Sequence, residues 1–295
     1  KFQHHLPEHE MLKNVPRSSN FKTTLHSILK KNALTIVQHK KIKAYCKKNQ
    51  IDYLCTPFSY QAAEELKKYL NQNIFKIGSG ELRDTLTLTS ICRNLKSTLI
   101  LSTGMSTLEE ISKTVKLLKK FRTKYALMNC TSEYPPKYED INLKVIKKLK
   151  EKFFNVPIGH SDHTSEIYTC LAAVALGAKL IEKHVYLDGM NHGPDKDVSI
   201  SFSTFKIMVN AIRKVEKALG DTKKINFREQ QIRKWAYRSI VTTRPVKLGE
   251  QFTLNNIWTK RPGVGIPADK INFVLSRKAT KNLKANHLLK PNDFK

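Results

Sequence analysis

Two histidines stand where apolar runs give way to polar chemistry. Val156-Pro157-Ile158 runs into Gly159-His160-Ser161-Asp162-His163-Thr164, and further along Lys179-Leu180-Ile181 runs into Glu182-Lys183-His184. Neighbouring parallel strands lie about 5 Å apart. If these runs are such neighbours, His163 and His184 leave the sheet at equivalent exits and their imidazoles can share one divalent ion. The plainer alternative is a pair of histidines hydrogen-bonded in a polar barrel mouth.

Other apolar runs end in the same way. Tyr53-Leu54-Cys55 leads to Thr56-Pro57-Phe58, Phe75 to Lys76-Ile77-Gly78-Ser79-Gly80-Glu81, Thr98-Leu99-Ile100-Leu101 to Ser102-Thr103-Gly104, and Tyr125-Ala126-Leu127-Met128 to Asn129-Cys130-Thr131-Ser132. Short hydroxyls and a lysine gathered at strand ends suit a small anion, because short side chains hold their donors in fixed places. Taken singly, each Ser or Thr is as readily a strand-end cap. Gly78 and Gly80 let backbone approach a ligand, but no GxGxxG or P-loop string marks a nucleotide site.

The elements that carry these ends alternate. Helical patterns over about 38–49 and 60–70 separate the apolar runs, and near-continuous apolar runs between helices indicate a parallel sheet covered on both faces. Polar residues at the C-terminal edges are where a β/α barrel keeps its chemistry. Six such runs are visible. A closed TIM-type barrel has eight, so the first strand and most of the second are expected upstream of Lys1. Ser106 with Glu109 reads as a capping box, residues 10–35 as a long irregular loop, and 203–219 as the closing amphipathic helix. The expected division is a barrel over 1–220, a polar, basic linker over 221–237, and a β-rich domain over 238–295 with strands at Ser239-Ile240-Val241 and Gln251-Phe252-Thr253.

A net charge of +28 brings nucleic acid to mind. The lysines, however, are spread through nearly every helix and are not clustered with aromatics, so they read as solvated faces that attract small anions. Cys46, Cys55, Cys92, Cys130 and Cys170 show neither close pairs nor metal-ligand spacing, which fits a reducing cytoplasm. No apolar run approaches the roughly 20 residues of a membrane span.

The strings KFQ, TPF, KIGSGE, LSTGM, CTSEYP, GHSDHT, EKH and GPD, followed by RSIVTTR and KRPGVGI, occur in this order along the chain. On these motifs the sequence resembles the sialic acid synthases: N-acetylneuraminate synthase and its legionaminate and pseudaminate relatives. The tail resembles their antifreeze-like (SAF, β-clip) domain.

The resemblance implies condensation of phosphoenolpyruvate with N-acetylmannosamine, releasing phosphate. Its alternatives are a legionaminate synthase acting on 2,4-diacetamido-2,4,6-trideoxymannose, or a non-catalytic fragment. It assigns His163 and His184 to a divalent metal, usually Mn2+. Lys1, Thr56, Lys76, Ser79, Ser102, Ser132 and Ser161 are assigned to phosphoenolpyruvate, and Gln3 to substrate binding. Glu81, Tyr134 and Asp195 are placed on the sugar side as candidates for proton movement, with Glu182 orienting ligands from behind. It further implies a domain-exchanged homodimer, in which Arg261 reaches the partner's sugar site on a stem stiffened by Pro262. The family's first-strand segment, with its glutamate and Asn-His pair, is absent from these 295 residues.

Overall fold

A computed structural model describes residues 1–13, 24–190, 193 and 195–295. The chain divides into two compact units, Lys1–Gly220 and Asp221–Lys295.

Among the described residues of the first unit eight strands lie parallel and in sequence order. They are β1 (Phe2–His4), β2 (Cys55–Pro57), β3 (Ile74–Ile77), β4 (Thr98–Ser102), β5 (Tyr125–Cys130), β6 (Ile158–Asp162), β7 (Leu180–Tyr186) and β8 (Ser199–Ser201). The accompanying helices are α1 (Pro7–Glu10), α2 (Leu25–Asn32), α3 (Ile36–Lys48), α4 (Tyr60–Leu70), α5 (Thr85–Ser90), α6 (Leu108–Lys120), α7 (Val145–Lys152), α8 (Tyr168–Ala175) and α9 (Phe202–Ala218). This is the expected α/β architecture of TIM type. The sheet curls far enough that the Lys1 ammonium, leading into β1, lies 3.2 Å from Glu182 on β7.

Alternation along each strand separates core from site. Phe75, Ile77, Leu99, Leu101, Leu127 and Ile158 join Leu66, Leu118 and Leu149 of the helices in one buried cluster. Their alternating neighbours Lys76, Ser102 and Ser161 are left to the opposite face. α4 shows how the helical layer is specified. Ser59 caps it by accepting from the Ala62 amide, Ala62, Ala63, Leu66 and Leu70 form its buried stripe, and Asn71 ends it at a φ of 48°. Each fully buried leucine of this kind contributes about 1.5–3 kcal/mol.

Three local expectations change. Among the described residues the sheet has eight strands: the six legible runs are joined by Phe2–His4, expected as the tail of a strand, which pairs with β2 over its whole length, and by Ser199–Ser201, a strand too short to show a period. Within 10–35, Leu25–Asn32 is a helix capped by Thr24, while residues 14–23 lie outside the described residues. The capping box before α6 sits one residue later than Ser106/Glu109, at Thr107 and Glu110, because it is these two that exchange backbone and side-chain hydrogen bonds. In the string Gly193-Pro194-Asp195, Pro194 lies outside the described residues.

The second unit begins in the stretch expected as a linker, which instead contains helix α10 (Phe227–Ala236), closed at its start by an Asn226/Glu229 capping box. Its small sheet pairs β9 (Ser239–Thr242) with β10 (Ile257–Lys260), antiparallel. A core of Ile240, Val246, Phe252, Ile257, Val274, Leu283, Leu289 and Phe294 holds the rest. The expected strand at Gln251–Thr253 is only a single bridge from Gln251 to Lys278, beside the buried Phe252. All five cysteines are free. Among the described residues no helix is long and apolar enough to cross a membrane.

Candidate functional site

The strand ends of the first unit converge on Glu182. Its Oε1 accepts from the Ser161 hydroxyl at 2.8 Å and lies 3.3 Å from Lys76 Nζ, while its Oε2 lies 3.2 Å from Lys1 Nζ. Burial alone would raise the Glu182 pKa, but the Lys76 and Lys1 charges and the Ser161 hydrogen bond bring it down to about 2. Lys76, almost fully buried, also donates to Ser102 Oγ at 2.6 Å. Burial holds this ammonium below the usual lysine range, and Lys1 adds to the effect while Glu182 opposes it. Two ammonium groups and the Ser161 hydroxyl thus share one carboxylate, and Lys76 also holds the Ser102 hydroxyl beside it.

A second cluster adjoins the first. The His163 and His184 rings stand with centroids 5.3 Å apart at 68°, and Tyr134 stacks on His163 at 4.2 Å. His163 Nδ1 lies 2.7 Å from the Thr131 carbonyl, so it carries the proton and leaves Nε2 as a free acceptor. Burial pulls the His163 pKa down to about 4. Burial also lowers that of His184, against the pull of Asp195, whose Oδ2 is 3.5 Å from His184 Nδ1. Both rings are therefore neutral near pH 7, as metal ligands must be. Among the described residues no group of three or more His, Cys, Asp and Glu side chains gathers as a ligand set. The pair fits a divalent ion that takes its other ligands from water or substrate. Burial, followed by nearby Cys130, Asp195 and Glu182, keeps the Tyr134 phenol protonated.

The remaining candidates make other contacts. Ser79 Oγ accepts from the Gly104 amide at 3.1 Å, and a β-carbon on Gly104 would lie 2.2 Å from Ser132 Oγ and 2.8 Å from Ser79 Oγ. Gly104 therefore lets two hydroxyls meet over its backbone. Thr56 is buried, and its hydroxyl has no partner among the described residues, a donor left over for something else. Glu81 folds back so that a β-carbon on Gly78 would lie 2.4 Å from its Oε2, and burial raises its pKa. Gln3 Oε1 lies 3.3 Å from His5 Nε2. Arg261 belongs to the second unit, where its Nε donates to the Ala236 carbonyl at 3.0 Å and its guanidinium lies 5.8 Å from the Trp235 ring centre.

Residues 1–224, which hold both clusters, match the NeuB family. The chain belongs to that family. Residues 237–295 match the SAF domain. The N,N'-diacetyllegionaminic acid synthase of Campylobacter jejuni is 39% identical over 267 residues, which is 89% of this chain and 79% of that protein. The pseudaminic acid synthase of the same species is 37% identical over 241 residues, 81% of this chain and 69% of that one. A crystal structure of the N-acetylneuraminic acid synthetase of Leptospira borgpetersenii, in complex with citrate, superposes with a TM-score of 0.65 at 31% identity, covering 70% of this chain and 72% of that one. The NeuB family is thus one of sialic, pseudaminic and legionaminic acid synthases.

In this NeuB chain three features of the site escaped sequence reasoning. Gly104 figures in the sequence only as the last residue of the Ser102-Thr103-Gly104 strand end. Asp162 and Lys183 were passed over because each sits beside a more eye-catching histidine, although alternation puts both on the face away from it.

Proposed function

We propose that this chain condenses phosphoenolpyruvate with an N-acetylated hexosamine in its open-chain form, releasing phosphate. The observation that carries this reading is the juxtaposition of an anion cradle (Lys1, Lys76, Ser102, Ser161) with two neutral imidazoles (His163, His184) around Glu182. In the reaction the methylene carbon of phosphoenolpyruvate bonds to the aldehyde carbon. The aldehyde oxygen gains a proton, water adds to the former enol carbon, and that carbon's bond to the phosphate oxygen breaks.

Each residue has a task in that scheme. Lys76 and Lys1 supply positive charge to the phosphate and carboxylate, with Ser102, Ser161, Ser79, Ser132 and Thr56 as neutral donors. Glu182 keeps both lysines charged and aimed while the site is empty of substrate. His163 and His184 would hold a divalent ion, Mn2+ on the family resemblance, and that ion supplies Lewis acidity toward the aldehyde oxygen. Tyr134, Glu81 and Asp195 line the sugar side with one phenol and two carboxyls suited to holding hydroxyls or moving protons. Arg261, on the same resemblance, would serve the partner's sugar site in a domain-exchanged homodimer. A cytoplasmic setting agrees with five free thiols.

Two sugars compete. N-acetylmannosamine gives N-acetylneuraminate, and the Leptospira likeness supports it. 2,4-Diacetamido-2,4,6-trideoxymannose gives the legionaminate, and the 39% identity to the Campylobacter enzyme favours it. Product mass after incubation with each sugar separates them. If neither sugar yields a product, the condensation reading fails.

A further inference from the structure

We propose that Asp162 and Lys183 are positioning residues whose buried ion pair sets the separation of His163 and His184. The inference rests on the reading that those two histidines hold the ion. In the register of β6 and β7, Asp162 stands directly opposite Lys183, and each immediately precedes one of the histidines. Alternation turns the pair toward the helices while the histidines face the other way. Both charged side chains are removed from water, at 1% and 0% exposure.

The Lys183 ammonium does more than neutralise Asp162. It donates to the Thr164 carbonyl and lies 3.3 Å from the Thr164 hydroxyl, so it holds the residues on both sides of His163. Asp162 in turn accepts from the hydroxyls of Thr164 and Thr169, each at 2.8 Å, which ties the end of β6 to α8. His160 Nε2, at 3.4 Å from Asp162 Oδ1, and the Cys170 thiol are the other polar groups facing the carboxylate.

Stability alone does not require charges there. A buried ion pair is often no more stabilising than apolar residues of the same volume, and what it adds is a fixed geometry. Here the fixed geometry joins the backbones of the two strands at the step before each histidine leaves the sheet. Removing the pair should leave a folded protein whose imidazoles no longer hold their spacing.

The test is Mn(II) titration of the full chain, followed by the electron paramagnetic resonance of free and bound ion. Loss of binding in both His163→Ala and His184→Ala establishes the two-histidine reading; retained binding in either removes that reading and this proposal with it. The double variant Asp162→Asn/Lys183→Met should fold and bind Mn(II) about 10–100-fold more weakly, the usual effect of losing an outer-shell support. Leu66→Ala, a core substitution on α4, should lower the melting temperature without changing Mn(II) affinity, which separates positioning from general destabilisation. Should the double variant not fold, Thr169→Val, which removes one hydroxyl from Asp162 and leaves the charges, should weaken Mn(II) binding several-fold. Affinity within twofold of wild type in the folded double variant, or in Thr169→Val if the double variant does not fold, overturns the proposal while leaving the histidines as ligands. Equal weakening in Leu66→Ala also overturns it.

Discussion

A β-carbon at Gly104 would lie 2.2 Å from the Ser132 hydroxyl oxygen, closer than any real contact. Ser79 Oγ would be 2.8 Å away on the same side and the Cys130 carbonyl 3.3 Å away. The hydroxyls must therefore turn aside to admit a methyl group, and they are two of the proposed phosphoenolpyruvate donors. Overpacking of this sort costs about 1–3 kcal/mol, so Gly104→Ala should weaken phosphoenolpyruvate binding about tenfold, the lower part of that range. Unchanged affinity would remove Ser79 and Ser132 from the anion cradle.

Glu182→Gln keeps the size of the side chain and leaves Lys76 and Lys1 without their shared counter-charge. Lys76 is the more deeply buried of the two, with a side chain 3% exposed. Removing one partner of such a pair costs about 3–5 kcal/mol; Glu182 itself is partly exposed, which places the expected loss near the lower end. Urea unfolding should show it, and saturating phosphoenolpyruvate should restore part of it by supplying the missing negative charge. A variant as stable as wild type would mean that the lysines do not depend on Glu182.

Much of this arrangement could be read from the sequence, and the reason is physical. A parallel sheet covered on both faces demands near-continuous apolar runs, so β2 to β7 announce themselves, and polar residues clustered at their ends stand out. The strand Ser199–Ser201 is three residues long and mostly serine, so no period develops. Helix α10 carries a capping-box signal at Asn226 and Glu229, yet its residues form no buried stripe, so composition pointed to a linker. The Asp162–Lys183 pair depends on strand register, which a sequence does not state. Gly104 is the intermediate case: its string was noticed, but the need for glycine lies in two serines far away in the chain.

The second unit carries its own pH dependence at Asp293, which is fully buried. Burial by itself would raise this carboxyl, but the ion pair from Lys281 and the hydrogen bonds from His287 and the Lys290 amide bring it below the ordinary range. A depressed carboxyl stabilises the fold fully above its unfolded pKa, about 3.9 for Asp, and that contribution is lost as pH falls through the lower folded value. Melting curves should therefore lose stability below about pH 4 in wild type and less steeply in Asp293→Asn. At pH 7 the variant should be less stable by about 1.5–3 kcal/mol, as for hydrogen bonds to a charged group. Identical pH profiles would contradict this.

Arg261 offers a test of the domain-exchanged dimer. When Arg261→Ala and His163→Ala chains are unfolded and refolded together, an exchanged heterodimer has one site with both defects and one with neither. Random pairing then returns activity to about a quarter of the wild-type level, half the dimers having one intact site of two. If the tail serves its own barrel, every site keeps a defect and the mixture stays inactive.

The proposed condensation by the two clusters around Glu182 is open to direct measurement. The direct measurement is phosphate release from phosphoenolpyruvate by the folded chain with Mn2+, with and without each N-acetylated hexosamine, alongside mass analysis of the product. Release that depends on the sugar, matches the product mole for mole and disappears in both His163→Ala and His184→Ala is the predicted result. Phosphate release indifferent to the sugar, or a product still formed at the wild-type rate by both histidine variants, would contradict it.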